Sequence, residues 1–306
     1  MSATSLPKNT RQFNPRRVSS RKIWQASFRY VILVIIGLIV SMPFIWMVSL
    51  AFKDPTEAFA WPPTLFPQNP TLDNFTNVLS QTILPTAFLN STIVSLVSVV
   101  TNLGLATLAG YAFARLRFPF RDVLFFVLIS TTMIPAAVSL IPLFLMTKGF
   151  PLAGGNDLFG HGGIGLLDSL PGLILPHVVG ALNIFLSRQF FLELPDELAE
   201  AARIDGAREF SIFWRVYLPL AQPLIATIAI FSFTGAWEDF LWPLVVTSST
   251  DKYTIQLALN SFQSGGNIQW GYMMAAAVLA TLPLFLVFLF FQKYFVAGLA
   301  SGSVKG

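Results

Sequence analysis

Glu238 and Asp239 are the only acids set within an apolar stretch of this chain, and Trp237 and Trp242 flank them. A charge at mid-membrane costs about 2.5–3.5 kcal/mol on insertion scales, so such residues face a bundle interior or mark a pathway. Carboxylates beside indole rings suit a polyhydroxylated ring, whose hydroxyls donate to the acids while its C–H face stacks on the indole. A plainer reading fits the same residues, with the acids solvated near the outer end of a helix and Trp242 as an interfacial anchor. Asn90, Asn102, Thr132 and Asn183 also stand in apolar surroundings. Each is read first as a helix–helix bond, and Asn90 is kept beside the acids and tryptophans as a pathway candidate.

Other chemistry is poorly supplied. The chain has no cysteine, which excludes disulfides, zinc–thiolate sites and thiol catalysis. His161 lies in a glycine-rich stretch, and His177 follows Pro176 in an apolar run, where a satisfied packing role is expected. No histidine and acid stand at ligand spacing, so neither a metal centre nor nucleophilic catalysis is supported. Gly155 and Gly160 approach a phosphate loop, but His161-Gly162 stand where Lys and then Ser or Thr are needed. The expectation is a non-enzymatic chain with no cofactor of its own.

A third constellation is polar and short. Glu200-Ala201-Ala202-Arg203-Ile204-Asp205-Gly206 is followed, after nine residues, by Val216-Tyr217-Leu218-Pro219. Pro195-Asp196 suits a helix start, where a missing N–H costs nothing and an acid meets the positive pole. A helix over 197–204 follows, ended by Gly206 in the left-handed conformation. A second helix over 207–217, closed by Pro219, turns Phe210, Phe213, Trp214 and Tyr217 toward an apolar surface. Segments this short are not stable alone, so packing must hold them. The two alanines let a partner surface approach, and an amphipathic insert between apolar runs most simply meets another protein.

The elements that must position these residues are membrane spans. The chain is 54% hydrophobic and only 11% charged, against roughly 25% charged in soluble domains. Charge-free runs cover 30–52, 74–114, 123–147, 169–187, 216–237 and 253–292. A span needs about 20 apolar residues, which predicts six transmembrane helices in an all-α integral membrane protein. Placing the basic N-terminus inside puts sixteen of the nineteen Lys and Arg residues on that side, as the positive-inside rule requires. Both termini are then cytoplasmic. The basic balance thus reflects orientation in a lipid bilayer, and no nucleic acid partner is expected. Residues 1–25 read as a polar cytoplasmic tail and 26–306 as one six-helix membrane domain, with an inside loop over 188–222. Pro43 is expected to kink the first helix. Pro135 and Pro142 should break the third, and the glycine-rich loop before residue 169 should be flexible.

The polar loop resembles the coupling-loop signature of ABC importer permeases, with Val216 where Ile is usual. Similar stretches elsewhere point to the carbohydrate-uptake branch, in particular the maltose-type second permease subunit. They are Tyr111 to Pro119, Trp237-Glu238-Asp239-Phe240-Leu241-Trp242-Pro243 (with Glu238 where Asn is usual) and the tail Ala297 to Gly306. The resemblance implies a type I ABC importer permease fold in a bacterial inner membrane. It implies partners too: a second permease subunit, two ATPase subunits carrying ATP and Mg, and an extracytoplasmic solute-binding protein. Glu200, Ala201, Ala202, Asp205, Gly206, Leu218 and Pro219 would meet the ATPase, as would the tail Gly302, Ser303, Val304, Lys305 and Gly306. The implied function is ATP-driven import of a sugar or sugar-like solute. An ion-coupled secondary transporter of a small polar solute is the alternative; it predicts broken helices and buried coupling charges.

Overall fold

A computed structural model describes residues 20–58, 60–263 and 269–302, and among these there is no β-strand. The chain divides into two units, 1–46 and 47–306. The described part of the first is most of helix α1 (Ser20–Ala51), which is apolar on all sides from Tyr30 onward and remains helical through Pro43. Residues 20–25, read as tail, already belong to this helix; the preceding nineteen lie outside the described residues. A helix hydrophobic all round is a membrane span or a deep core element.

The second unit is built from one continuous span, three bent helix pairs and a C-terminal span. α2 (Leu84–Arg115) is continuous through a π turn at Asn102–Ala106. α3 (Arg121–Met133) and α4 (Ala136–Lys148) meet at 106°. Ile134 between them is extended (ψ 118°), because Pro135 excludes the helical conformation from the residue before it. Pro142 stays inside α4, so only one of the two expected breaks occurs. α5 (Leu170–His177) and α6 (Ala181–Glu193) meet at 40°. Helix α6 therefore carries helical structure six residues into the segment assigned to the inside loop. After α7 (Glu197–Ile204) comes α8 (Glu209–Leu220), which turns by 84° into α9 (Gln222–Trp237). Then come α10 (Leu241–Val246), α11 (Ile255–Ser261) and α12 (Trp270–Gly302). Among the described residues, three helices are long and apolar enough to cross a membrane unaided, or up to six spans if each bent pair is counted as one.

α2 is the axis of this unit. Ser91, Ser95, Ser98 and Asn102 form its buried stripe, all at most 2% exposed. Small and hydroxylated residues let membrane helices approach and bond. Gly110 shows how close that approach is: a Cβ there would lie 2.2 Å from Ser187 Cβ on α6. On the other flank, Ala275, Ala276 and Ala280 of α12 are buried with Phe233 and Trp237 of α9.

The connection between α4 and α5 is a built structure where flexibility is expected from its glycines. Asn156 Nδ2 donates to the carbonyls of Lys148 (2.7 Å) and Phe150 (3.0 Å), and its Oδ1 accepts from Gly163 N at 2.8 Å. Gly154 and Gly160 take positive φ (+54° and +81°), and a Cβ on either would strike a carbonyl oxygen at 2.1 Å. Asp168 then ties the connection down, its Oδ1 accepting from Ser248 N (3.0 Å) and Ser249 N (2.9 Å).

Candidate functional site

The polar loop folds as two short helices on the ends of α2 and α6. Asp196 flanks α7 at its start, and Gly206 (φ +81°) ends it. Ala207 N donates to Ala202 O at 2.9 Å and Gly206 N to Arg203 O at 3.0 Å. That pair of bonds is the Schellman closure, which needs the left-handed residue that glycine supplies without strain. α8 departs from expectation in one respect: Pro219 does not close it. A π turn at Phe213–Tyr217 hands over to a last α turn, Leu218–Leu220, and Pro219 sits at the start of that turn, where its missing N–H is harmless.

The expected apolar face of α8 is split. Phe213 and Tyr217 are buried against Tyr111, Phe191 and Ile212. Phe210 and Trp214 stay 65% and 59% exposed and stack on each other. Ile204 at the end of α7 is 86% exposed. Glu200, Ala201, Asp205, Gly206 and Pro219 are exposed, while Ala202 and Leu218 are half-buried.

Two fastenings hold this loop, and neither was singled out from the sequence. Arg115, at the C-terminus of α2, pairs with the Asp196 carboxylate and donates to the carbonyls of Phe191 and Leu194. Its guanidinium lies 5.2 Å from the Tyr217 ring centroid, a cation–π contact. One turn earlier, the Tyr111 hydroxyl donates to Glu209 Oε2 at 2.9 Å, and Arg203 Nε donates to Glu209 Oε1 at 2.8 Å. The Arg203 bond holds the Glu209 carboxyl below the usual carboxylate range, against partial desolvation, with the Tyr111 hydroxyl adding to the effect. A cleft of about 330 Å³ opens beside these groups, lined by Arg115, Arg117, Asp196, Glu200, Arg203 and Glu209 among others. The sequence signal for Arg115 was its place at a helix C-terminus, where a cation meets orphan carbonyls.

The second cluster lies where two helices are interrupted. His177 ends α5, and Asp239 follows α9. His177 Nε2 is 3.1 Å from Asp239 Oδ2. Behind the pair, Ser98 Oγ (3.0 Å) and Asn102 Nδ2 (2.8 Å) both donate to His177 O. Asn102 Oδ1 accepts from Gly180 N and Asn183 Nδ2, each at 2.8 Å, and Asn183 also donates to Ser232 Oγ at 3.0 Å. The expected helix–helix roles of Asn102 and Asn183 are thus both present.

The other pathway candidates separate. Trp237 is fully buried and donates from Nε1 to Ala280 O at 3.0 Å. Trp242 is 4% exposed and donates to Gly172 O at 3.0 Å. Neither ring face is available for stacking on a solute here. Asn90 donates to the carbonyls of Asp251 (2.9 Å) and Tyr253 (3.0 Å), holding the connection before α11. Glu238 is exposed and Asp239 partly so. Of the tail candidates, Gly302 ends α12 and Ser303 to Gly306 lie outside the described residues. No group of three or more metal-ligating side chains occurs among the described residues.

Residues 102–301 match the family described as the binding-protein-dependent transport system inner membrane component. The arabinooligosaccharides transport system permease protein AraQ of Halalkalibacterium halodurans is 35% identical over 275 residues, 89% of this chain and 93% of that protein. The lactose transport system permease protein LacG of Rhizobium radiobacter is 33% identical over 90% of this chain and 95% of that one. A crystal structure of a bacterial ABC transporter involved in the import of the acidic polysaccharide alginate contains a chain that superposes with a TM-score of 0.77. The two are 26% identical, over 92% of this chain and all of that one. Broken helices, which the sequence reading tied to an ion-coupled transporter, therefore occur here on an importer fold. The chain belongs to the binding-protein-dependent transport system inner membrane component family, as a multi-pass permease subunit of an ABC importer.

Proposed function

We propose that this chain is one of two membrane subunits that pass a sugar or sugar-like solute inward, driven by ATP hydrolysed with Mg on two separate ATPase subunits. A solute-binding protein delivers the cargo from outside. The chain crosses the membrane six times with both ends in the cytoplasm, and the segment following α6 docks the ATPase. The sugar class rests on relatives described as carrying arabinooligosaccharides and lactose.

One observation carries the docking role: the loop presents Ile204, Phe210 and Trp214 to solvent while its inner side is bolted to α2 and α6. Exposed apolar side chains on a polar, well-anchored element mark a protein interface. In this reading Glu200 meets a basic or donor group of the ATPase, and Ala201, Ala202 and Asp205 form the close contact. Gly206 supplies the turn, Leu218 and Pro219 set the loop's return to α9, and the tail from Gly302 to Gly306 adds a second contact. Force applied to α7 reaches α2 through Arg115 and Tyr111. For the solute, the pathway role is kept for Glu238 and Asp239, with Trp237 and Trp242 packed beside them and Asn90 bracing the connection before α11.

Cysteine placed at residue 200 should crosslink to the ATPase in native membranes, with a yield that changes on adding ATP. Absence of any such adduct, with the chain at normal abundance, would sink the docking role.

A further inference from the structure

We propose that Asp239, with Glu238 and His177, forms a solute-recognition site in the outer part of the membrane that accepts neutral polyhydroxylated solutes and turns away anionic ones. This rests on the importer reading above and adds where the solute is read and by which chemistry.

Height comes first. α9 rises from Gln222 at the loop side through sixteen residues to Trp237, about 24 Å at 1.5 Å per residue. α6 covers thirteen residues between Ala181 and Glu193, about 20 Å by the same rise. The interruptions at 178–180 and 238–240 therefore stand at similar depth, well across a hydrocarbon layer of roughly 30 Å.

Environment follows from depth. Irregular backbone at membrane depth persists only where protein covers it or water lines it. This chain leaves Val179, Gly235 and Glu238 exposed around the breaks, and a Cβ added at Gly235 would meet nothing within 4 Å. Lipid is a poor neighbour for two adjacent carboxylates, and a dry protein interface would desolvate them both with His177 opposite Asp239 alone. A solvated pathway satisfies both constraints.

Geometry then gives recognition. Asp239 Oδ2 faces His177 Nε2 at 3.1 Å, while Oδ1 takes only a long 3.3 Å bond from Trp242 N. The two side chains are 22% and 19% exposed, so one edge of the pair is open. Trp242 is itself fixed by its bond to Gly172 O, and the backbone carbonyl of His177 by Ser98 and Asn102. A carboxylate held so rigidly is prepared to accept from sugar hydroxyls. Residues 149–187 and 216–251 contain no Lys or Arg. A phosphate or uronate arriving at this point would meet the like charge of Glu238 and Asp239, with no Lys or Arg supplied by the two segments that carry the site.

The test uses the complete transporter with its own partners in proteoliposomes, offered a panel of neutral di- and trisaccharides and alginate trisaccharide. The wild type should take up at least one neutral sugar in an ATP-dependent way and exclude the alginate probe. Asp239→Asn should raise the apparent KM for the neutral sugar at least tenfold while changing the maximal rate less than threefold, and Asp239→Glu should recover part of the loss. His177→Gln should shift KM in the same direction, and it serves if Asp239→Asn fails to assemble. Wild-type KM in both variants, a fall in maximal rate alone, or uptake of alginate as fast as neutral sugar overturns the proposal. A chain that shows no ATP-dependent uptake and never co-purifies with an ATPase would instead overturn the importer reading beneath it.

Discussion

Tyr111 and Glu209, 98 residues apart in sequence, share a 2.9 Å hydrogen bond that joins the end of α2 to the start of α8. With Arg203 on the other carboxylate oxygen, the bond places a single acid between a membrane helix and both helices of the polar loop. Removing the phenolic oxygen in Tyr111→Phe takes a donor from an ionised acceptor and should cost about 1.5–3 kcal/mol, read as a lower thermal midpoint of the purified protein. Transport should fall more than the midpoint predicts, because the loop then moves with less of α2 attached. Unchanged uptake at a lowered midpoint would assign the bond to stability alone.

Acid should loosen the same contact. Glu209 is held below the usual carboxylate range chiefly by Arg203, so its contribution is fully present above the ordinary value, about 4.3, and is lost as pH falls through the lower folded value. Protease cleavage within the loop should rise below about pH 4, and Glu209→Gln should abolish that step. An identical acid profile in the variant would refute the assignment.

Gly110 is where α2 and α6 touch most closely. A methyl group there would sit 2.2 Å from Ser187 Cβ and 2.8 Å from Arg188 N, so the helices must separate. Gly110→Ala should destabilise by about 1–3 kcal/mol, the usual range for overpacking. Gly104→Ala, on the same helix with nothing within 4 Å, is the control and should hold or raise stability, by up to about 1 kcal/mol.

Gly206 poses the opposite case. A Cβ there meets nothing within 4 Å, yet φ is +81°. Gly206→Asn should be tolerated, since Asn is among the residues that visit this conformation. Gly206→Arg has space within this chain but projects into whatever docks on the loop. It should insert at normal abundance and abolish uptake, and wild-type uptake by that variant would remove the partner from this position.

Asp168 joins two connections on the side opposite the loop. The Ser249 hydroxyl and the amides of Ser249 and Ser248 hold its carboxyl below the usual range. That contribution is likewise present at neutral pH and disappears on acidification. Asp168→Ala leaves those donors without an acceptor. It should make the 149–168 connection more protease-sensitive at pH 7 and flatten its acid dependence, whereas unchanged cleavage would show that Asn156 alone holds it.

Much of this protein is set by local chemistry and was legible before any fold. Apolar runs too long for anything but a bilayer define the spans, the bias of Lys and Arg sets the expected orientation, and Asp196 and Gly206 punctuate α7 where the helical pattern begins and stops. These features depend on neighbours within a turn or two, so residue order alone expresses them. Pairings between helices do not have that property. His177 meets Asp239 across 62 residues and Arg115 meets Asp196 across 81, and no spacing rule links such positions. The tryptophans beside the acids looked like a stacking site in one dimension, yet packing turned both rings inward onto Ala280 O and Gly172 O. Which face of each helix is buried, and where a helix breaks without a proline at the break, as at 178–180 and 238–240, follows from register between helices. Only the assembled bundle fixes that register, because it is the sum of many side-chain contacts that the chain's order does not rank.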